Sequence, residues 1–119
     1  MNKRKIGSDY EEAAVLFLEG KGIRILERNF RSYHGEIDII ASSAENDLIF
    51  CEVKYRATYS CGDPLEAVDY RKQCRISRTA LCYYARHHYA LDTSCRFDVI
   101  AIDGDGNIRH IENAFEYRG

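Results

Sequence analysis

The chain has 119 residues, with 17 lysines and arginines against 19 aspartates and glutamates, 45% hydrophobic and 30% charged residues, one proline and no tryptophan. That length makes one domain, residues 1–119, able to bury roughly 65% of the surface of its unfolded form around a single core, and its composition excludes collagen-like, mucin-like and disordered classes. A net charge of −2 argues against attraction to nucleic acid by bulk charge. No apolar run approaches the ~20 residues that cross a bilayer. Asp9, Glu11 and Glu12 interrupt the stretch that a signal peptide would need, so the expected location is cytoplasmic, without membrane partners.

Residues 8–20 are predicted to form a helix capped by Ser8, with Asp9, Glu11 and Glu12 at its positive end and Gly20 and Gly22 stopping it. Ile23 to Arg31 reads as a strand, Ser32 to Gly35 as a turn, Glu36 to Ala41 as a second strand and Leu48 to Tyr55 as a third, the last two forming a hairpin. Ser60 to Pro64 reads as a loop. From Leu65 to about His88 apolar residues recur at intervals of three and four, which predicts the longest helix. Cys95 to Ile102 is an apolar strand, Asp103 to Asn107 a tight turn, and Ile108 to Ile111 the return strand. The DGDGN turn lacks the glutamate that would complete a calcium loop.

Five cysteines, 51, 61, 74, 82 and 95, are odd in number and contain no C-x-x-C pair, so they are expected reduced. Four histidines, two of them adjacent, make a weak zinc signal.

Period-two geometry sorts the central strands. Glu36, Asp38 and Ile40 should share one face and Ile37, Ile39 and Ala41 the other; Glu52 and Lys54 should share a face with Leu48 and Phe50, opposite Ile49, Cys51, Val53 and Tyr55. Charges on strands so apolar are costly unless paired. Two readings stay open: an ion-pair network at a strand end, or a metal site in which Asp38, Glu52 and a main-chain carbonyl hold Mg²⁺ or Mn²⁺ beside Lys54.

The Asp38 … Glu52-Val53-Lys54 arrangement resembles the PD-(D/E)XK nuclease superfamily. More closely, GEIDIIA, LIFCEVKYR, GDPLEAV, Lys72 and RFDVIAI resemble the YraN-like family of small bacterial proteins, similar to archaeal Holliday junction resolvases, over about Gly7 to Phe115. The resemblance implies a restriction-endonuclease-like α/β core, a central mixed sheet of about five strands flanked by helices in the order α-β-β-β-α-β-β. It implies a Mg²⁺- or Mn²⁺-dependent endonuclease acting on DNA, branched or structured DNA included, with Asp38, Glu52 and the Val53 carbonyl as metal ligands. Lys54 takes the place of the motif lysine and Glu11 that of an acid that joins the site in resolvase-like members. Glu36 and Lys72 stand behind them as supporting residues. Ile37 replaces the proline of the superfamily name, and Tyr10 stands where relatives often have glycine.

Glu11 has a rival reading as a first-turn acid favoured by the helix dipole. Arg71, Arg75 and Arg78 lie at i, i+4 and i+7, which suits either phosphate contact or a solvated face. Tyr33, Tyr55, Tyr59, Tyr83 and Tyr84 could stack on unpaired bases, with packing the expectation for most. A homodimer is expected by analogy with enzymes that cut two strands. The alternative function is a non-catalytic module that binds nucleic acid or protein on a nuclease-like scaffold.

Overall fold

The computed structural model describes residues 3–56 and 68–118, with side chains described from Asp9 onward. Its elements are α1 (Lys3–Gly20), β1 (Arg24–Ser32), β2 (Gly35–Ser42), β3 (Leu48–Arg56), α2 (Tyr70–Arg86), β4 (Cys95–Asp103) and β5 (Ile108–Phe115). The strands form one sheet in sequence order, antiparallel except for the parallel pair β3 and β4. A parallel pair needs a crossover, and α2 lies within it. The expected mixed sheet of five strands and its order of elements are present.

Each helix covers one face. Ala14, Val15 and Leu18 of α1 pack on Ile39, Ala41, Ile49, Cys51, Ile100 and Ile102. Ile76, Ala80, Tyr83 and Tyr84 of α2 pack on Ile40, Leu48, Phe50, Phe97 and Val99. Alternation therefore sorts β3 as expected, and β2 from Asp38 onward. Ile37 departs from it, joining Phe30 and Tyr83 on the α2 side. In the β1–β2 register Asp38 faces Asn29, whose φ is 53°. A left-handed residue breaks the pleat there, and the outer end of the hairpin curls toward α2.

Both helix starts differ from expectation. Helix α1 spans Lys3–Gly20, so Ser8 lies inside it and cannot cap it. Lysine and arginine favour helix, and a single interior glycine costs only about 1 kcal/mol. Helix α2 begins at Tyr70, not Leu65, because Asp69 takes an extended conformation and accepts the Lys72 N–H at 2.8 Å, the geometry of an N-cap. The expected Ser60 to Pro64 loop, Cys61, Tyr59 and most of GDPLEAV lie outside the described residues.

The β4–β5 turn is built as expected. Asp103 Oδ1 accepts the Asp105 and Asn107 N–H groups, both at 2.9 Å, and Gly106 supplies φ 83°. Strand β5 runs four residues beyond the expected end, to Phe115, which stacks on Phe97. Among the described residues the cysteines are unpaired, and no helix is long and apolar enough to cross a membrane.

Candidate active site

The site forms where β2 and β3 part. Their ladder runs from Ser42–Leu48 to Ile39–Cys51 and stops; one step further the same register would set Asp38 beside Glu52. There the Asp38 side chain intervenes, its Oδ2 accepting the main-chain N–H of Val53 at 2.8 Å. A carboxylate thus takes the place of the neighbouring strand, satisfying an amide that the fork would otherwise leave open. Both acids point to the α2 face, where a cavity of about 270 Å³ is lined by Gly35, Glu36 and Asp38 of β2, Glu52 of β3, and Lys72 and Arg75 of α2.

Glu52 is only 8% exposed. Its Oε1 accepts from Lys72 Nζ at 2.6 Å and from Lys54 Nζ at 3.3 Å. Lys72 reaches it because it lies four residues before Ile76 on the stripe of α2 that faces the sheet. The supporting position expected for Lys72 thus takes the form of direct contact with Glu52.

The charges push one another. Burial, and then the neighbouring Glu52 carboxylate, raise the pKa of Asp38 to about 7; Glu11 and Glu36 add to the rise and the Val53 amide opposes it. Burial, and then the hydrogen bond with Lys72, lower the pKa of Lys54, against the pull of Glu52. For Lys72 burial also works against the charge, but its bonds to Glu52 and Lys54 and the nearby acids outweigh it, and its pKa rises. The two lysines differ accordingly: Lys72 is the fixed cation and Lys54 the more readily deprotonated amine.

Glu11 belongs to the same corner. It sits well past the first turn of α1, which has no acid in it, so the helix dipole does not account for it. Asn29, with its amide nitrogen turned toward the carboxylates, donates to Glu36 Oε1 at 3.1 Å and to Glu11 Oε2 at 3.3 Å. Sequence reasoning missed Asn29; its only signal is that asparagine tolerates the left-handed region. Glu36 also pairs with Arg31 at 3.4 Å.

Arg71, Arg75 and Arg78 are all exposed on α2, and Arg75 alone of the three lines the cavity. Of the tyrosines, Tyr83 and Tyr84 are core residues and Tyr55 stacks on Tyr10 at 4.0 Å, whereas Tyr33 is 99% exposed.

A second polar cluster, also unforeseen, lies toward α1. The fully buried Asp98 accepts from Arg96 Nε at 3.1 Å, from the Asn113 N–H at 2.9 Å and from His110 Nε2 at 2.7 Å. Lys21 donates to His110 Nδ1 at 2.8 Å, which places the ring proton on Nε2. Among the described residues no three histidine, cysteine or acidic side chains group to hold a metal.

The mixed five-stranded sheet, the α2 crossover and the order of elements make an α/β fold consistent with a restriction-endonuclease-like core. The chain belongs to uncharacterised protein family UPF0102, whose model matches residues 10–102. It is similar to a UPF0102 protein of Pelobacter propionicus, 48% identical over 97% of this chain and 85% of that protein. A UPF0102 protein of Geobacter metallireducens is 44% identical over 98% of this chain and 96% of that one. Among solved structures, Pyrococcus furiosus SfsA in complex with Ca²⁺ aligns loosely, at TM-score 0.38 and 14% identity, over 93% of this chain and 64% of that chain.

Proposed function

We propose that this protein is a Mg²⁺- or Mn²⁺-dependent endonuclease that hydrolyses phosphodiester bonds in DNA, with branched or structured DNA among its substrates. The observation that carries the reading is the β2–β3 fork, which brings Asp38, Glu52 and Lys72 to one cavity, with Lys54 held against Glu52.

The donor set fits a hard cation that keeps much of its water. Two carboxylates, with the Val53 carbonyl as a third oxygen, match the sparse protein ligation typical of Mg²⁺. Asp38 Oδ2 is engaged by the Val53 amide, and among the described residues no donor is bound to Oδ1. Glu11 and Glu36 stand nearby as further acids. The ion would supply Lewis acidity toward a phosphate oxygen and acidify a water.

The chain's own residues do the rest. Lys54, its pKa lowered, is suited to orient a water and take its proton. Lys72 stays cationic between Glu52 and the cavity, where it offsets phosphate charge, and Arg75 at the rim offers a planar donor pair to a phosphate. A second reading, a non-catalytic module binding nucleic acid or protein, is favoured by one observation: Glu52 already holds two lysines, as in a structural ion-pair network.

Cleavage of linear, flapped and four-way DNA with Mg²⁺ or Mn²⁺ separates the two. The nuclease reading expects metal-dependent cleavage that Asp38→Ala and Glu52→Ala abolish while DNA binding persists, and that Lys54→Ala slows by about a hundredfold or more. Full activity in Asp38→Ala, or none in the wild type on any of these DNAs, overturns it.

A further inference from the structure

The turn between β1 and β2 presents the Tyr33 ring, whose ring contact among the described residues is with the adjacent His34, edge-on at 5.4 Å. Tyr33 is 99% exposed, yet the turn that carries it is anchored. Ser32 Oγ donates to Thr79 Oγ1 of α2 at 3.4 Å and accepts the His34 N–H at 3.1 Å. Gly35, at φ 150°, lies so close to α2 that a Cβ there would stand 3.5 Å from Thr79 Oγ1 and 3.8 Å from the Arg75 Cβ. The ring therefore projects from a turn packed against α2, two residues along the chain from Gly35 and three from Glu36, both of which line the cavity.

Exposed cations lie on the elements around it. Arg31, 78% exposed at its side chain, pairs with Glu36 at 3.4 Å, and Arg75 and Arg78 are exposed on the helix against which the turn packs. A protein-docking surface would be expected to present several apolar side chains together; here one tyrosine beside one histidine lies on a turn next to the arginine-bearing face of α2, an aromatic and basic combination of the kind that binds single-stranded nucleic acid. At about 3.3 Å per residue, Tyr33 is no more than about 17 Å along the chain from Asp38, a separation that a few nucleotides span.

We propose that Tyr33 is a stacking platform for an unpaired nucleobase next to the phosphate held in the cavity, so that the turn selects DNA at the junction between paired and unpaired strands. This rests on the nuclease reading and adds to it the feature of the substrate that is recognised. A base in an intact duplex is already stacked on both sides and offers the ring no face, whereas a flap or branch point does. Stacking is indifferent to base identity, so the preference is for structure and not for sequence.

The test compares two DNAs in Mg²⁺, a flapped duplex with 2-aminopurine as the first unpaired base and the same sequence fully paired. The reference protein is Asp38→Asn, in which turnover does not consume the probe. It should bind the flap more tightly and quench the 2-aminopurine. Adding Tyr33→Ala should lower the flap-to-duplex affinity ratio by about tenfold or more and abolish the quench, while Tyr33→Trp keeps both. An unchanged ratio in Tyr33→Ala, or a Tyr33→Trp protein that fails as the alanine protein does, overturns the inference. Equal binding of the two DNAs by the reference overturns it and leaves the nuclease reading standing. Binding of neither DNA overturns both.

Discussion

The Asp38 carboxylate accepts the Val53 main-chain N–H at 2.8 Å, one residue beyond the last paired rung of β2 and β3. One side chain thereby ends a ladder and opens a site. It does so as a buried acid whose pKa is raised to about 7 by burial and by Glu52, and this makes the metal-free fold sensitive to pH.

A carboxyl group with its folded pKa above its unfolded value binds more protons in the native state, so stability falls as pH rises through the interval between the two. Here the interval is 3.8 to about 7. In chelator, wild type should lose on the order of a few kcal/mol across it from this group. Asp38→Asn retains an acceptor for the Val53 amide without the charge, so its melting temperature should be flatter over the same range and equal or higher at pH 8. A mutant markedly less stable at pH 8 would show that the charge is part of a stabilising ion pair.

Divalent metal should act in the opposite sense. An ion bound only by the native state adds about 1.4 kcal/mol at a free concentration about tenfold above its Kd, worth roughly 5 °C in a domain of this size. The increment should grow from pH 6 to pH 8 as Asp38 loses its proton, and should be mostly lost in Asp38→Asn. Equal increments in both proteins would place the ion elsewhere.

Breaking the Lys72–Glu52 pair leaves a buried acid with Lys54 alone. Lys72 is about one third exposed, so Lys72→Met should cost about 2 kcal/mol, below the usual figure for a fully buried pair. Adding Glu52→Gln should restore part of the loss. Urea unfolding of the two single variants and the double variant gives the coupling, expected above ~0.5 kcal/mol; strict additivity would mean that the contact carries no energy.

The basic face of α2 predicts a salt effect. Each of Arg71, Arg75 and Arg78 that meets a phosphate should contribute about 0.9 to the slope of log affinity against log salt. Arg75, which lines the cavity, should matter most to affinity. A triple alanine variant with unchanged slope would return the whole face to solvent.

Asn29 combines a backbone role with a bridging one. Asn29→Ala should lose about 1–2 kcal/mol because alanine resists the left-handed region; Asn29→Gly relieves that strain and should recover most of it. Asn29→Asp adds a carboxylate beside Glu11 and Glu36, so it should melt below wild type at neutral pH. An equal melting temperature would show that the amide does not bridge these acids.

The order of the seven elements was legible in the sequence because helical and strand periodicities are local properties, written within stretches of roughly ten residues. The same locality set Glu52 and Lys54 on one face of β3 and Asp38 among the apolar residues of β2. Element ends were less legible: a competent cap at Asp69 and helix-forming residues before Ser8 each moved a boundary. Only the tertiary structure decided that Lys72 meets Glu52, that Asn29 joins Glu11 to Glu36, and that Ile37 packs toward α2. Those contacts depend on where the β2–β3 ladder stops, how far the hairpin curls and how α2 lies across the sheet, and none of these is a property of any one segment, since each is set by packing between segments far apart in the chain.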